Sequence, residues 1–100
     1  MELKPEFSEA YQYLAMSYNQ TNNPTKAIET ARKGLEIAEK KAGLYCAWGK
    51  SLEKLKRHDE AIAKFELAVG DPQWGGYASK QIVRQGDLKK IAEAKRERDE

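Results

Sequence analysis

Apolar and small residues recur along this chain at three- and four-residue steps, broken by short polar stretches, and the arrangement comes twice. Tyr11, Leu14, Ala15 and Tyr18 form one stripe, and Ala27, Ile28, Ala31, Gly34 and Leu35 form a second. Such spacing gathers side chains on one face of an amphipathic helix. A shift of 34 positions repeats both stripes: Tyr11 falls on Tyr45, Leu14 on Trp48, Ala15 on Gly49, Tyr18 on Leu52, Ala27 on Ala61, Ile28 on Ile62, Ala31 on Phe65, Gly34 on Ala68 and Leu35 on Val69. Between the first two stripes, Asn22, Asn23 and Pro24 supply a turn, with Asn23 expected to cap the next helix and Pro24 to take its first position. The stretch "KRHDE" holds the same place in the second copy. Each copy is therefore predicted to be two helices, which so short a connection makes antiparallel.

The small residues carry a message of their own. Ala61 and Ala68 flank Phe65 on a stripe that ought to fill a core, and Ala27, Ala31 and Gly34 are smaller still. Where helix axes cross closely, Gly or Ala sets the distance and a bulky neighbour fills the adjacent gap. Phe65 and Trp48 are expected to supply that volume. The copies are placed at residues 7–40 and 41–74, with "KKAG" as the break between them and Gly70 as a helix C-terminus. "KPEF" and "DPQW" lie 67 positions apart, one short of two periods, so the second copy reads as one residue shorter. Residues 75–100 carry Tyr77, Ala78, Ile82, Leu88, Ile91 and Ala92 at loosely helical spacing, then charges, as a C-terminal capping helix would; Gly86-Asp87 is expected to break it. Residues 1–6 read as the end of a preceding helix or a linker stopped by Pro5, so the chain is expected to be a piece of a longer one.

These residues resemble the tetratricopeptide repeat (TPR) family, whose period is about 34 residues. "YCAWGKSLEKLKRHDEAIAKFELAVGDP" carries Tyr45, Trp48, Gly49, Leu52, Ala61, Phe65, Ala68 and Pro72 in the family's order. "AYQYLAMSYNQTNNPTKAIETARKGLE" matches at Tyr11, Leu14, Ala15, Tyr18 and Ala27, but has Ala31 and Gly34 where an aromatic residue and an alanine are usual. The resemblance implies an all-α fold: antiparallel helix-turn-helix repeats stacked as a short right-handed α-solenoid, two repeats and a cap. It also implies a concave groove for a partner peptide or helix. In one subclass, lysines, asparagines and an arginine grip acidic chaperone tails; the matching places here hold Gln12, Met16, Ala47, Gly76 and Lys80, so that clamp is missing.

Composition narrows the functions. Lys and Arg total 18 against 16 Asp and Glu, a net charge of +2 that gives no long-range field toward nucleic acid or anionic lipid. The tail "KKIAEAKRERDE" mixes both signs and reads as a solvated helix end, and two repeats would read almost no RNA. No run approaches the ~18 apolar residues of a membrane span. Cys46 is the single cysteine, which excludes an internal disulfide and points to a reducing, cytoplasmic setting. His58 is the single histidine and is read as an exposed turn or helix-start residue. One histidine and one cysteine twelve positions apart make neither a metal site nor a triad, and Gly75-Gly76 follows no strand and is a helix start, not a phosphate cradle. No cofactor, metal or catalytic residue is expected.

The faces of the first and third helices away from the core stripes then become the candidate site: Gln12, Tyr13, Met16 and Gln20 on one, and Cys46, Ala47, Lys50, Glu53 and Lys54 on the other. Tyr13 and Met16 offer an adaptable apolar patch, and Gly43, Cys46 and Ala47 leave a hollow beside it. Lys50 and Lys54, with Lys80 and Arg84 of the last helix, add positive charge. Two readings of Tyr13 and Met16 stand open: they line a groove, or they pack on a neighbouring repeat or beneath the fifth helix. The leading function is a non-catalytic protein-interaction module; the alternative is a structural or oligomerising array segment that self-associates through exposed repeat ends such as Phe7.

Overall fold

The structure is a computed structural model and describes residues 7–99. It holds five helices: α1 (Phe7–Gln20), α2 (Pro24–Ile37), α3 (Ala42–Lys54), α4 (His58–Glu66) and α5 (Gly75–Asp99). All the regular structure among these residues is helical. Each helix packs on the next, and α3 also packs on α1, the neighbour relations of a helical repeat solenoid. The reading of residues 1–6 falls outside the described residues.

The two hairpins turn alike. Asn22 (φ 63°) and Lys56 (φ 60°), 34 positions apart, both take the left-handed conformation that reverses the chain between helices. Pro24 opens α2 as expected, its ring pre-set for a first turn. Asn23 differs from expectation: its side chain makes no capping bond and instead donates from Nδ2 to the backbone oxygen and Oγ1 of Thr21. Between the hairpins, α2 stops at Ile37 and Ala38 is extended; residues 38–41 connect the helices, so only the two lysines of "KKAG" lie in the connection, and Ala42 and Gly43 already belong to α3.

Two clusters form the core. Ala15, Ala27, Ala31, Leu44 and Ala47 join α1, α2 and α3, with Tyr11, Tyr18 and Leu35 packed around them. Ala42, Cys46, Leu52, Ala61, Phe65, Ala68 and Ala78 join α3, α4 and α5, with Ile28, Trp74 and Ile82 alongside. Trp48 packs against both. The small residues set the helix distances: a Cβ on Gly34 would lie 2.8 Å from both Leu44 Cδ2 and Tyr11 Cβ, and one on Gly49 would lie 2.7 Å from Phe65 Cζ. Phe65 is wholly buried, and its ring meets Tyr77 edge to face at 6.3 Å.

Four expectations need correction. Leu14 belongs to the first stripe but is 45% exposed, because it faces the side of α1 that no described helix covers. Val69 is exposed because α4 ends at Glu66, leaving the chain in turns through Gly70 rather than in helix. Gly70 therefore ends no helix. Gly86-Asp87 does not break the last helix: α5 runs through it without interruption. A helix of 25 residues is about 37 Å long at 1.5 Å per residue, and α4 has only nine, so α5 overhangs the hairpin; Lys90–Glu97 are exposed throughout.

Candidate binding groove

The site is built on α1 and α3. These helices approach closely because Gly43 leaves room for the side chain of Gln12, which a Cβ there would strike. They are held by a buried polar clamp: Asn19 Nδ2 donates to the Ala47 carbonyl at 3.0 Å, and Ser51 Oγ donates to Asn19 Oδ1 at 2.8 Å. Asn19 and Ser51 are both buried, so each bond is shielded from competing water. The apolar periodicity could not reveal this pair. The one trace in the sequence is that each polar residue adjoins the stripe, Asn19 following Tyr18 and Ser51 preceding Leu52.

A cleft of about 300 Å³ opens along the clamp, walled by Met16, Ala47, Trp74 and Tyr77 and edged by Lys50 and Lys54; Gln20 and Cys46 complete its lining. A second, of about 310 Å³, continues from it through the shared Gly43 and Trp74 and holds Gln12 and Tyr13 beside Glu9, Glu39, Lys40 and Asp71. Of the nine residues predicted for the groove, eight thus line one or other cleft. Tyr13 is 64% exposed and Met16 36%, so neither lies beneath α5.

Glu53 is the ninth and points elsewhere. It accepts from Arg84 Nε at 3.1 Å and from Gln85 Nε2, tying α3 to α5, and Lys50 Nζ stands 3.5 Å from it. Burial alone would raise its carboxyl, but the bonds from Arg84 and Gln85 and the charges of Lys50 and Arg84 prevail and hold it below the usual carboxylate range. Arg84 is thereby spent on Glu53 rather than offered to a ligand. Gln85, wholly buried, also accepts at Oε1 from His58 Nδ1 at 2.8 Å, so His58 begins α4 but is half-buried rather than exposed.

Cys46 also departs from expectation. The stripe pattern puts it on the face away from the core, yet it is 2% exposed and belongs to the second cluster. The reason is that α3 has neighbours on both sides, α1 and α2 on one and α4 and α5 on the other, so almost its whole circumference is covered. Burial, with the nearby charge of Asp71 second, pushes the thiol up to about 12, which leaves it a poor nucleophile. Tyr77 is pushed up to about 12 for the same first reason. Among the described residues, no three His, Cys, Asp or Glu side chains gather as a metal site would require, and no helix is long and apolar enough to cross a membrane.

Comparison with known proteins places the chain in a family. Residues 1–67 fit the family described as anaphase-promoting complex, cyclosome, subunit 3. No curated protein and no solved structure matches the chain. The matched span holds both stripes of the first copy and most of the second, and families of this repeat type are in general non-catalytic scaffolds for protein partners. The chain, with its paired helices and 34-residue spacing, belongs to that TPR-like repeat family.

Proposed function

We propose that this chain is a non-catalytic scaffold that holds an extended or helical segment of a partner protein in the groove between α1 and α3. Residues 7–40 and 41–74 act as the two repeats and α5 as the cap. One observation supports this most: between two helices clamped tightly by Asn19 and Ser51, the chain still leaves an open hollow walled by Met16, Ala47, Trp74 and Tyr77. Concave, largely apolar hollows with a few polar groups at their edges are where ligands dock. The residues assigned to contact are Gln12, Tyr13, Met16, Gln20, Lys50 and Lys54, with Cys46 and Ala47 as the floor. Selecting binders from a displayed random-dodecapeptide library, then following amide shifts of the 100-residue chain, tests the reading. Shifts centred on Tyr13, Met16 and Lys50 support it, and shifts confined to Glu29, Lys33 and the rest of the outer face refute it.

A second reading has its own observation. Phe7 (48% exposed) and Leu14 form an apolar strip with Ala10 and Tyr11 on the uncovered side of α1, as a self-associating repeat end would. Sedimentation that stays monomeric at every concentration removes it.

A further inference from the structure

The two clefts differ in charge, and the difference runs along the groove. The cleft beside Met16, Trp74 and Tyr77 is edged by Lys50 and Lys54 and, among the described residues, has no carboxylate in its lining. Among the described residues, the cleft beside Tyr13 has Glu9, Glu39 and Asp71 against one cation, Lys40. Neighbouring bonds do not erase this contrast. Lys50 is partly matched by Glu53 at 3.5 Å, but Arg84 also pairs with that carboxylate, and Lys54 makes no ion pair among the described residues. At the other end Asp71 Oδ2 accepts the backbone N–H groups of Gln73 and Trp74, which orients the carboxylate without neutralising it. Its charge is felt inside the groove, since it helps to raise the Cys46 thiol.

The length follows from helix geometry. Gly43, shared by both clefts, and Lys54, at the far edge, are eleven residues apart on α3, about 16 Å at 1.5 Å per residue. An extended segment advances about 3.3 Å per residue, so roughly five residues span that distance.

Resting on the groove reading above, we infer that the bound partner segment is itself polarised: a carboxylate-bearing end over Lys50 and Lys54, a bulky apolar side chain in the hollow between Met16 and Trp74, and a cationic end over Glu9, Glu39 and Asp71. Opposite charges at the two ends fix the orientation and register of the segment more than its affinity. A uniformly acidic or uniformly basic segment meets repulsion at one end.

The test uses the same displayed dodecapeptide library, selected in parallel against the wild-type chain and the Lys50→Glu/Lys54→Glu variant. The expected wild-type binders carry Asp or Glu on one side of an apolar residue and Lys or Arg on the other, with the opposite charges four to six positions apart. The variant should select cations at the end where the wild type selects acids, and bind wild-type peptides three- to tenfold more weakly. Circular dichroism checks that the variant is folded; Lys54→Glu alone, at an exposed position, serves if it is not. Binders that shift groove amides but show no charge pattern, or the same pattern on both proteins, overturn the polarity and leave the groove reading standing. Recovery of no binders, or of binders that shift only the outer face, refutes the groove reading and the polarity together.

Discussion

Ala61 shows how much rests on one small side chain. It is wholly buried among Leu52, Phe65 and Ala68, where α4 meets its neighbours. Ala61→Leu forces three extra carbons into that contact and should cost about 1–3 kcal/mol through overpacking. A thermal melt reads this directly, since 1 kcal/mol moves the midpoint of a domain this size by about 4–8 °C, and an unchanged midpoint contradicts the placement. Cys46 gives a pH dependence. Its thiol is pushed from 9.0 to about 12 by burial and then by Asp71, so above pH 9 the unfolded chain gives up a proton that the folded chain keeps. The contribution is complete below pH 9 and is lost as pH rises toward 12, by up to about 1.4 kcal/mol per pH unit. Tyr77, shifted from 10.0 to about 12, adds to the decline above pH 10. Urea titrations at pH 8, 9 and 10 should therefore show a shallower loss in Cys46→Ala than in the wild type; equal slopes would count against a protonated, buried thiol.

At the scale of the helices, the pair Asn19 and Ser51 decides how α1 sits on α3. Ser51→Ala leaves Asn19 Oδ1 buried without its donor, a loss of about 1–3 kcal/mol. Replacing both partners, in Asn19→Leu/Ser51→Ala, removes the unsatisfied oxygen as well, so the double variant should be less destabilised than the sum of the singles. Denaturant titration of the cycle settles this, and strict additivity would mean that the clamp does not couple the helices. The sequence made the helices legible because a shift of 34 positions aligns residues that face a neighbour, and both hairpins follow that pattern. It could not show which faces have a neighbour. Leu14 and Val69 sit on the right stripes and stay exposed because nothing described packs on them, while Cys46 sits on the wrong stripe and is buried because α3 is covered on two sides. Gly86 misled for a different reason: a glycine inside a helix costs only about 1 kcal/mol, which a long helix docked through Ala78, Ile82 and Gln85 tolerates. Eight of the groove positions were legible because they are what remains once the core stripe is removed. Glu53 was not, since its partners Arg84 and Gln85 lie more than 30 positions away.

For the molecule as a whole, the question is whether two clusters behave as one cooperative unit. A stack of repeats holds together through nearest-neighbour interfaces, so its cooperativity depends on the residues that belong to two interfaces at once. Trp48 is such a residue: it packs on the α1–α2 side through one cluster and on the α4–α5 side through the other, and Lys64 Nζ lies 3.9 Å above its ring. Leu44 and Ala47 serve only the first cluster, Cys46 and Leu52 only the second. Trp48→Ala should therefore cost about 3 kcal/mol, the low end for an aromatic truncation because the ring is half-buried, and also separate the halves. Hydrogen exchange distinguishes the two effects. In the wild type, amides of α2 and α4 should report a common opening free energy. In Trp48→Ala they should divide, with α4 and α5 retaining protection after α1 and α2 have lost it, because Phe65 and its aromatic contacts stay in place. Protection that falls equally in both halves would mean that the clusters are joined through α3's backbone and smaller side chains, and that the tryptophan adds area without linking them.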